Sequence, residues 1–121
     1  MLLNLDFSDN VPIYMQIRNQ IVMGIADGRL AGGEKLPTIR ALALEAGINM
    51  MTASKAYALL KQEGYIQTER RGGVTVLGGI KSGGIISEKI KQELKLLISE
   101  IKLAGVSEQD FLKICSNIYN E

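Results

Sequence analysis

Residues 38–62, TIRALALEAGINMMTASKAYALLKQ, contain two short helical patterns separated by three residues. The first pattern predicts a helix over 39–46, which the Thr38 hydroxyl can cap at its N-terminus. Gly47 suits the left-handed backbone that commonly follows a helix, and Asn49 can cap a second helix that reaches the end of the stretch. Two such helices joined by a glycine-containing turn predict a helix-turn-helix.

The flanking residues extend this motif into a winged helix. Pro12 is predicted to be the first residue of a preceding helix, because its missing N–H costs nothing there. The apolar face of that helix recurs every fourth position, at Ile13, Ile17, Ile21 and Ile25. After the motif, residues 65–69 and 74–77 are predicted to be strands joined by a turn at 70–73. A β-hairpin directly after a helix-turn-helix indicates a winged helix.

A glycine-rich segment marks the end of this first domain. Residues 78–84 contain four glycines and little apolar surface, which is typical of a linker. We therefore predict a winged helix-turn-helix domain over 1–78, a linker over 79–84 and a helical element over 85–121. The predicted fold class is mainly α with a small β-hairpin.

The C-terminal element is predicted to be a hairpin of two helices, with Ser107 capping the second. Its apolar stripes are Ile90, Leu94, Leu97 and Ile101 on the first helix and Phe111, Ile114 and Ile118 on the second. A hairpin of roughly 40 residues cannot bury so many large apolar groups by itself. We therefore expect these stripes to pack against a second copy of the chain in a twofold dimer.

The composition of the chain excludes several classes of site. The absence of histidine removes catalytic relays and metal sites that depend on it. Cys115 is the only cysteine, so an internal disulfide and a CxxC redox pair are excluded, and its thiol is predicted to be buried among apolar groups. No apolar run is long enough for a membrane span. We predict a cytoplasmic protein without membrane contact, catalytic residues, metal or cofactor.

The charges are unevenly distributed. The net charge is only +1, but residues 35–71 contain six basic and three acidic side chains. Residues 80–121 contain six of each and are neutral. The local excess of positive charge favours a nucleic acid partner for the first domain more than the total does.

The spacing of the residues argues against two kinds of enzyme site. The stretch from Gly73 to Gly78 resembles the start of a phosphate-binding loop, but Gly79 stands where that motif requires lysine. The acidic residues show no spacing that places an acid and a base together. A small nucleotide-binding enzyme is therefore a weak alternative.

The helix after Asn49 is predicted to bury Ala53, Ala56, Tyr57 and Leu60. The opposite face is small and polar apart from its methionine, and contains Met51, Ser54, Lys55, Ala58 and Gln62. Side chains of this kind can enter a DNA major groove and reach base edges or phosphates. Arg40, in the first turn of the preceding helix, can bind a phosphate, and the arginines of the 70–73 turn can reach a minor groove. The predicted DNA-contacting residues are Thr38, Arg40, Asn49, Met50, Met51, Thr52, Ser54, Lys55, Arg70, Arg71 and Gly72.

A set of residues across 8–78 closely resembles the N-terminal DNA-binding domain of the GntR family of bacterial transcription regulators. The matching positions include Pro12-Ile-Tyr-Met-Gln-Ile17, Gly33-Glu-Lys-Leu-Pro-Thr38, Arg40-Ala-Leu-Ala43, Lys55-Ala-Tyr57 and Glu63-Gly-Tyr-Ile66. The short C-terminal part resembles the YtrA-type branch, in which a small helical dimerisation element replaces the large effector domain. The resemblance implies a dimer that binds an operator, often as a repressor.

The resemblance also assigns roles to individual positions. Arg40 matches the family's phosphate- and base-contacting arginine, Asn49 and Thr52 match contacts at the start of the recognition helix, and Arg71 lies at the wing tip. Many family members have arginine directly after the position of Asn49, where this chain has Met50 and Met51. These methionines either contact thymine methyl groups or fill the groove, or they pack internally as flexible core residues.

The sequence thus predicts a sequence-specific, homodimeric transcription regulator, with repression as the expected mode, on an inverted-repeat operator. The alternative is a winged-helix adaptor that uses its methionines or its apolar hairpin to bind other proteins. Any small-molecule effector would bind between protomers or between the two domains, because the C-terminal element is too short to enclose a large cavity.

Overall fold

The computed structural model describes residues 3–78 and 83–121, which form two units. The first unit contains α1 (Ile13–Ala26), β1 (Lys35–Leu36), α2 (Ile39–Ala46), α3 (Met50–Gln62), β2 (Ile66–Thr68) and β3 (Val74–Val76). The second contains α4 (Glu88–Leu103) and α5 (Glu108–Tyr119). The fold is mainly α with a small sheet, as predicted. Most of the predicted linker, residues 79–82, lies outside the described residues.

The helix-turn-helix forms through the caps that the sequence predicts. The Thr38 hydroxyl oxygen accepts a hydrogen bond from the Ala41 N–H at 3.1 Å, and α2 begins at the next residue. The Asn49 side-chain oxygen accepts one from the Thr52 N–H at 2.8 Å at the start of α3. Between the helices Gly47 has a φ of 67°, the left-handed conformation that glycine adopts without steric cost.

The predicted start of α1 is wrong by one residue. Pro12 has a φ of −56° but an extended ψ of 147°, so it is the cap and Ile13 is the first helical residue. The Pro12 carbonyl accepts the first intrahelical bond, from the Gln16 N–H at 3.0 Å. The predicted apolar face is confirmed, since Ile17 and Ile21 are fully buried.

Gln16 also anchors the segment that precedes α1. Its side-chain amide donates to the carbonyls of Asp6 and Val11, both at 2.8 Å, and its oxygen accepts from the Asp6 N–H at 2.8 Å. A buried amide with all these partners satisfied fixes the backbone around it.

The sheet of the first unit has three antiparallel strands in the order β1-β3-β2. The predicted hairpin is confirmed as β2 and β3, with Ile66 opposite Val76 and Thr68 opposite Val74. Strand β1 was not predicted from the sequence, and it places Leu36 opposite Val74 on the other side of β3. Two paired residues are too few to show an alternating pattern.

The core of the first unit lies between its helices and this sheet. Its buried apolar residues are Ile17, Ile21, Leu36, Leu42, Ala43, Ala53, Ala56, Tyr57, Leu60, Ile66, Val74 and Val76. The Tyr57 hydroxyl donates a hydrogen bond to the Pro37 carbonyl at 2.7 Å. Burial, aided by the nearby negative charge of Glu45, raises the pKa of Tyr57 above its ordinary value of 10.

The second unit is a helical hairpin with a cap at the start of each helix. The Ser87 hydroxyl accepts from the Ile90 N–H and that of Ser107 from the Asp110 N–H, both at 3.2 Å. Gly105, between the helices, has a φ of 83°. Neither helix has a buried residue. The prediction that Cys115 is buried is wrong for the single chain, where the thiol is exposed because no residue of α5 is buried in it.

No helix in residues 3–78 or 83–121 combines the length and apolar character needed to cross a bilayer. No three acidic or cysteine side chains in the same ranges come together as metal ligands would.

Candidate DNA-binding surface

Helix α3 has one face in the core and the opposite face in solvent. Ala53, Ala56, Tyr57 and Leu60 are buried, as the sequence predicts. Every residue of the opposite stripe is exposed: Met51, Ser54, Lys55, Ala58 and Gln62. Since residues three and four apart share a helix face, this stripe forms one continuous surface. We call it the α3 outer face.

The N-terminal end of α3 is also accessible. Asn49 is exposed, Met50 is 48% exposed and Met51 is 83% exposed. Thr52 is half-buried at the edge of the α3 outer face. Met51 therefore does not act as a core residue in this chain, and Met50 lies at the boundary between core and surface.

Lys55 has a contact that the sequence analysis missed. Its ammonium nitrogen lies 4.1 Å from the centre of the Tyr14 ring on α1, the geometry of a cation–π interaction. A lysine 41 positions after a tyrosine gives no sequence signal, because only the packing of α1 on α3 brings them together. The interaction draws the Lys55 charge toward the α1 side of the α3 outer face.

Arg40 lies in the first turn of α2 and is exposed. Within residues 3–78 and 83–121 it forms no ion pair, so its guanidinium remains available to an external anion. The neighbouring Thr38 uses its hydroxyl oxygen as the cap acceptor, which leaves the hydroxyl proton free to donate. Both groups lie at the positive end of the α2 dipole, which favours anions.

The turn between β2 and β3 presents the two predicted wing arginines to solvent. Arg70 and Arg71 are exposed, and the Glu69 N–H donates to the Gly73 carbonyl at 2.8 Å to close the turn. Gly72 has a φ of 83°, which explains why glycine occupies this position. We call residues 69–73 the wing tip.

Two contacts hold the far end of α3 in place. The Arg18 guanidinium on α1 forms two hydrogen bonds to the Glu63 carboxylate, at 2.9 and 2.8 Å. The Lys61 ammonium donates to the Thr68 hydroxyl at 2.9 Å and so joins α3 to β2. A paired guanidinium and carboxylate give a fixed geometry, so α3 is braced from two sides.

The structure brings some of the predicted DNA-contacting residues together in one groove and places others on a separate surface. One open groove is lined by Ile39, Met50, Met51, Ser54, Lys55 and Ala58, which places the start of α2 beside the α3 outer face. Arg70, Arg71 and Gly72 form the separate wing tip. Tyr14 and Ile39 are the residues of this surface that the sequence analysis did not assign to it.

Comparison with known protein families identifies this winged helix. The model of the bacterial regulatory proteins of the gntR family matches residues 13–76, from the start of α1 to the end of β3. The chain belongs to the gntR family of bacterial regulatory proteins. Its residues form a winged helix-turn-helix, and the chain is a DNA-binding transcription regulator.

A curated relative matches nearly the whole gntR-family chain. The HTH-type transcriptional repressor YtrA of Bacillus subtilis is 36% identical over 107 residues, covering 87% of this chain and 82% of the relative. The match therefore includes the helical hairpin as well as the winged helix. The resemblance to the YtrA-type branch is confirmed.

Solved structures agree with the fold. A transcriptional antiterminator from Listeria monocytogenes EGD-e has a TM-score of 0.84 at 27% identity, over 100% of this chain and 91% of that one. The DNA-binding domain of AraR, solved in complex with operator ORE1, has a TM-score of 0.52 at 26% identity, over 63% of this chain and 93% of that one.

Proposed function

We propose that this gntR-family chain is a homodimeric repressor that binds an inverted-repeat operator. In this proposal residues 1–78 bind DNA and residues 85–121 hold the two copies together. Each copy places α3 in the major groove of one half-site, and the two half-sites lie about one helical turn apart.

The observation that carries the DNA-binding role is the exposure of the α3 outer face from its first residue onward. In a helix-turn-helix the N-terminal residues of the second helix contact base edges. Asn49, Thr52 and Ser54 supply hydrogen-bonding groups there, while Arg40 supplies a cation for a phosphate. The wing-tip arginines are suited to the adjacent minor groove. The solved AraR domain bound to its operator supports the same use of a related domain.

The hairpin supports the homodimer. Its predicted stripe is accessible in the single chain, with Ile90, Leu94, Leu97, Ile114 and Ile118 between 44% and 60% exposed. Ile101 and Phe111 are half-buried between α4 and α5. An apolar surface that runs along both helices is stabilised when a second copy covers it.

Repression and the absence of catalysis belong to the same proposal. The Bacillus subtilis relative is named a repressor, and its match extends over both units of this chain. A repressor needs only to occupy its operator, so the proposal requires no cofactor or reaction. The site of action is the bacterial cytoplasm, where the DNA lies.

The test is a gel-shift titration of the full-length protein against the DNA upstream of its own gene, repeated at several salt concentrations. We expect a specific complex that contains two chains per duplex. Its affinity should fall as the salt concentration rises, with a slope that corresponds to a few phosphate contacts. Unrelated DNA of equal length is the control. If the protein binds both fragments equally or neither, the repressor assignment is wrong and the adaptor hypothesis gains support.

A further inference from the structure

The α3 outer face has one large side chain at its tip, and that side chain is apolar. Met51 lies opposite the buried stripe and is 83% exposed. Its neighbours on the face, Ser54 and Ala58, are small. Lys55 is long, but its ammonium contacts the Tyr14 ring. Met51 is therefore the side chain that projects furthest into solvent at the start of α3.

Nothing in the first unit accounts for this methionine. The core is closed by residues on the other face of α3, and the caps of α2 and α3 depend on Thr38 and Asn49. Met51 shares an open groove with Lys55 and with Ile39 at the start of α2, so this apolar group lies beside a cation and a helix N-terminus, where an anionic partner would bind. Duplex DNA fits these charges, whereas an apolar protein surface does not.

The chemistry of the side chain restricts what it can recognise in a base pair. A thioether is a weak acceptor and donates no hydrogen bond, so it cannot form the paired bonds by which arginine selects guanine. Among the four bases only thymine presents a methyl group in the major groove. A flexible, polarisable side chain is well suited to pack against that methyl.

We propose that Met51 is a specificity-determining residue that selects thymine through its C5-methyl group, with Met50 and Ile39 forming the apolar side of the same groove. The inference rests on the proposed function, because it requires α3 to lie in the major groove. It predicts a thymine at one fixed position in each half-site, related by the dyad of the operator.

The experiment begins with selection of binding sites from a random duplex library by the full-length protein. Each thymine of the enriched sequence is then replaced by deoxyuridine, which removes the methyl and keeps the base pair. We expect one symmetric position to weaken binding about four-fold per half-site, the effect of one buried methyl group. Replacement in both half-sites is expected to weaken binding about fifteen-fold, because the two contacts are independent.

Variants assign the effect to the side chain. Met51→Ala is expected to bind the thymine and deoxyuridine duplexes equally and to lose the preference for thymine at that position in a repeated selection. Met23→Ala is the matched control, since Met23 is exposed on α1 and lies outside the proposed surface. It is expected to retain the full response to deoxyuridine.

Each other outcome overturns part of the account. A specific sequence whose binding is unchanged by deoxyuridine at every thymine refutes thymine selection and leaves the DNA-binding role standing. A deoxyuridine effect that persists in Met51→Ala assigns the methyl contact to another residue. Enrichment of no sequence contradicts the proposed function itself and the inference with it. The deoxyuridine scan uses the wild-type protein, so it holds even if a variant fails to fold.

Discussion

The two units of this chain use their apolar residues in opposite ways. The first unit buries its apolar side chains between three helices and a three-stranded sheet, and presents mostly polar groups on the α3 outer face. In the second unit α4 and α5 have no buried residue, although leucines and isoleucines follow their length. The first unit can be stable by itself, whereas the second gains stability when another surface covers it.

This difference separates the two roles that the proposed repressor requires. A rigid domain with a satisfied core holds α3 in a fixed position for base contacts. In the proposed dimer, the uncovered apolar hairpin joins two such domains at a set spacing. Substitutions should therefore act on stability in the first unit and on association in the second.

The largest effect is expected from a charge on the dimerisation stripe. Leu97→Glu places a carboxylate in each half of a symmetric apolar interface, which costs about 3–5 kcal/mol or more for an unpaired buried charge. We expect the dimer dissociation constant to rise about a thousand-fold in analytical ultracentrifugation. Operator affinity should fall with it, while the melting of the first unit is unchanged.

Leu103→Glu is the matched control, because Leu103 is 89% exposed and lies about 120° around α4 from Leu97, outside the stripe. We expect it to leave the dimer intact. If the dimer survives Leu97→Glu, or if both variants lose it equally, the prediction that the apolar stripe of α4 forms the dimer interface is wrong.

The second largest effect is expected from a cavity in the core of the first unit. Leu60→Ala removes a fully buried side chain from α3 and should lower the free energy of unfolding by about 2–5 kcal/mol. Urea denaturation of the full-length protein measures this loss, and the dimer dissociation constant should not change. Leu44→Ala, at an exposed position of α2, should change the free energy by less than about 0.5 kcal/mol. Equal losses would contradict the assigned core.

A smaller effect is expected from the buried hydroxyl of Tyr57. Tyr57→Phe removes its bond to the Pro37 carbonyl and should destabilise the first unit by about 1–2 kcal/mol at neutral pH. Burial raises the pKa of Tyr57, so the folded chain keeps a proton that the unfolded chain releases above pH 10. The contribution of Tyr57 is complete below pH 10 and is lost as pH rises further.

Urea denaturation across pH 8–11 tests both parts of this prediction. The wild type should lose stability above pH 10 more steeply than Tyr57→Phe does. Tyr119→Phe, at a position that is exposed on α5, should follow the wild type. Identical pH profiles for the wild type and Tyr57→Phe would mean that the hydroxyl has no raised pKa.

The smallest effect is expected at the DNA surface. Arg40→Ala removes one exposed cation, so operator affinity should fall about five-fold and the salt slope by about one phosphate contact. The first unit should unfold as the wild type does. Arg29→Ala is the control, because Arg29 is paired with Asp27 at 2.8 Å. An unchanged salt slope in Arg40→Ala would refute its assigned role.

Local signals in the sequence predicted most of the first unit. The caps at Thr38 and Asn49, the left-handed Gly47 and the apolar spacing of α3 each involve residues within a few positions of one another. Interactions between distant residues were not predictable in the same way. The Lys55 contact with Tyr14 and the pairing of β1 with β3 depend on how elements pack.

The sequence likewise predicted part of the candidate DNA-binding surface. The exposure of Met51 follows from helix geometry, whereas the half-exposed Met50 lies where periodicity does not decide between core and surface. Cys115, whose thiol the sequence predicts to be buried, is exposed in the single chain. The pattern indicates that a residue prefers to be covered, and it does not show which chain covers it.

Hydroxyl-radical footprinting of the full-length protein on its selected operator shows whether two copies bind together. We expect two protected segments related by a dyad, with centres about one helical turn apart. We also expect Leu97→Glu at the same concentration to leave both segments unprotected. A single protected segment, or full protection by Leu97→Glu, would contradict the claim that the hairpin joins two α3 helices on DNA.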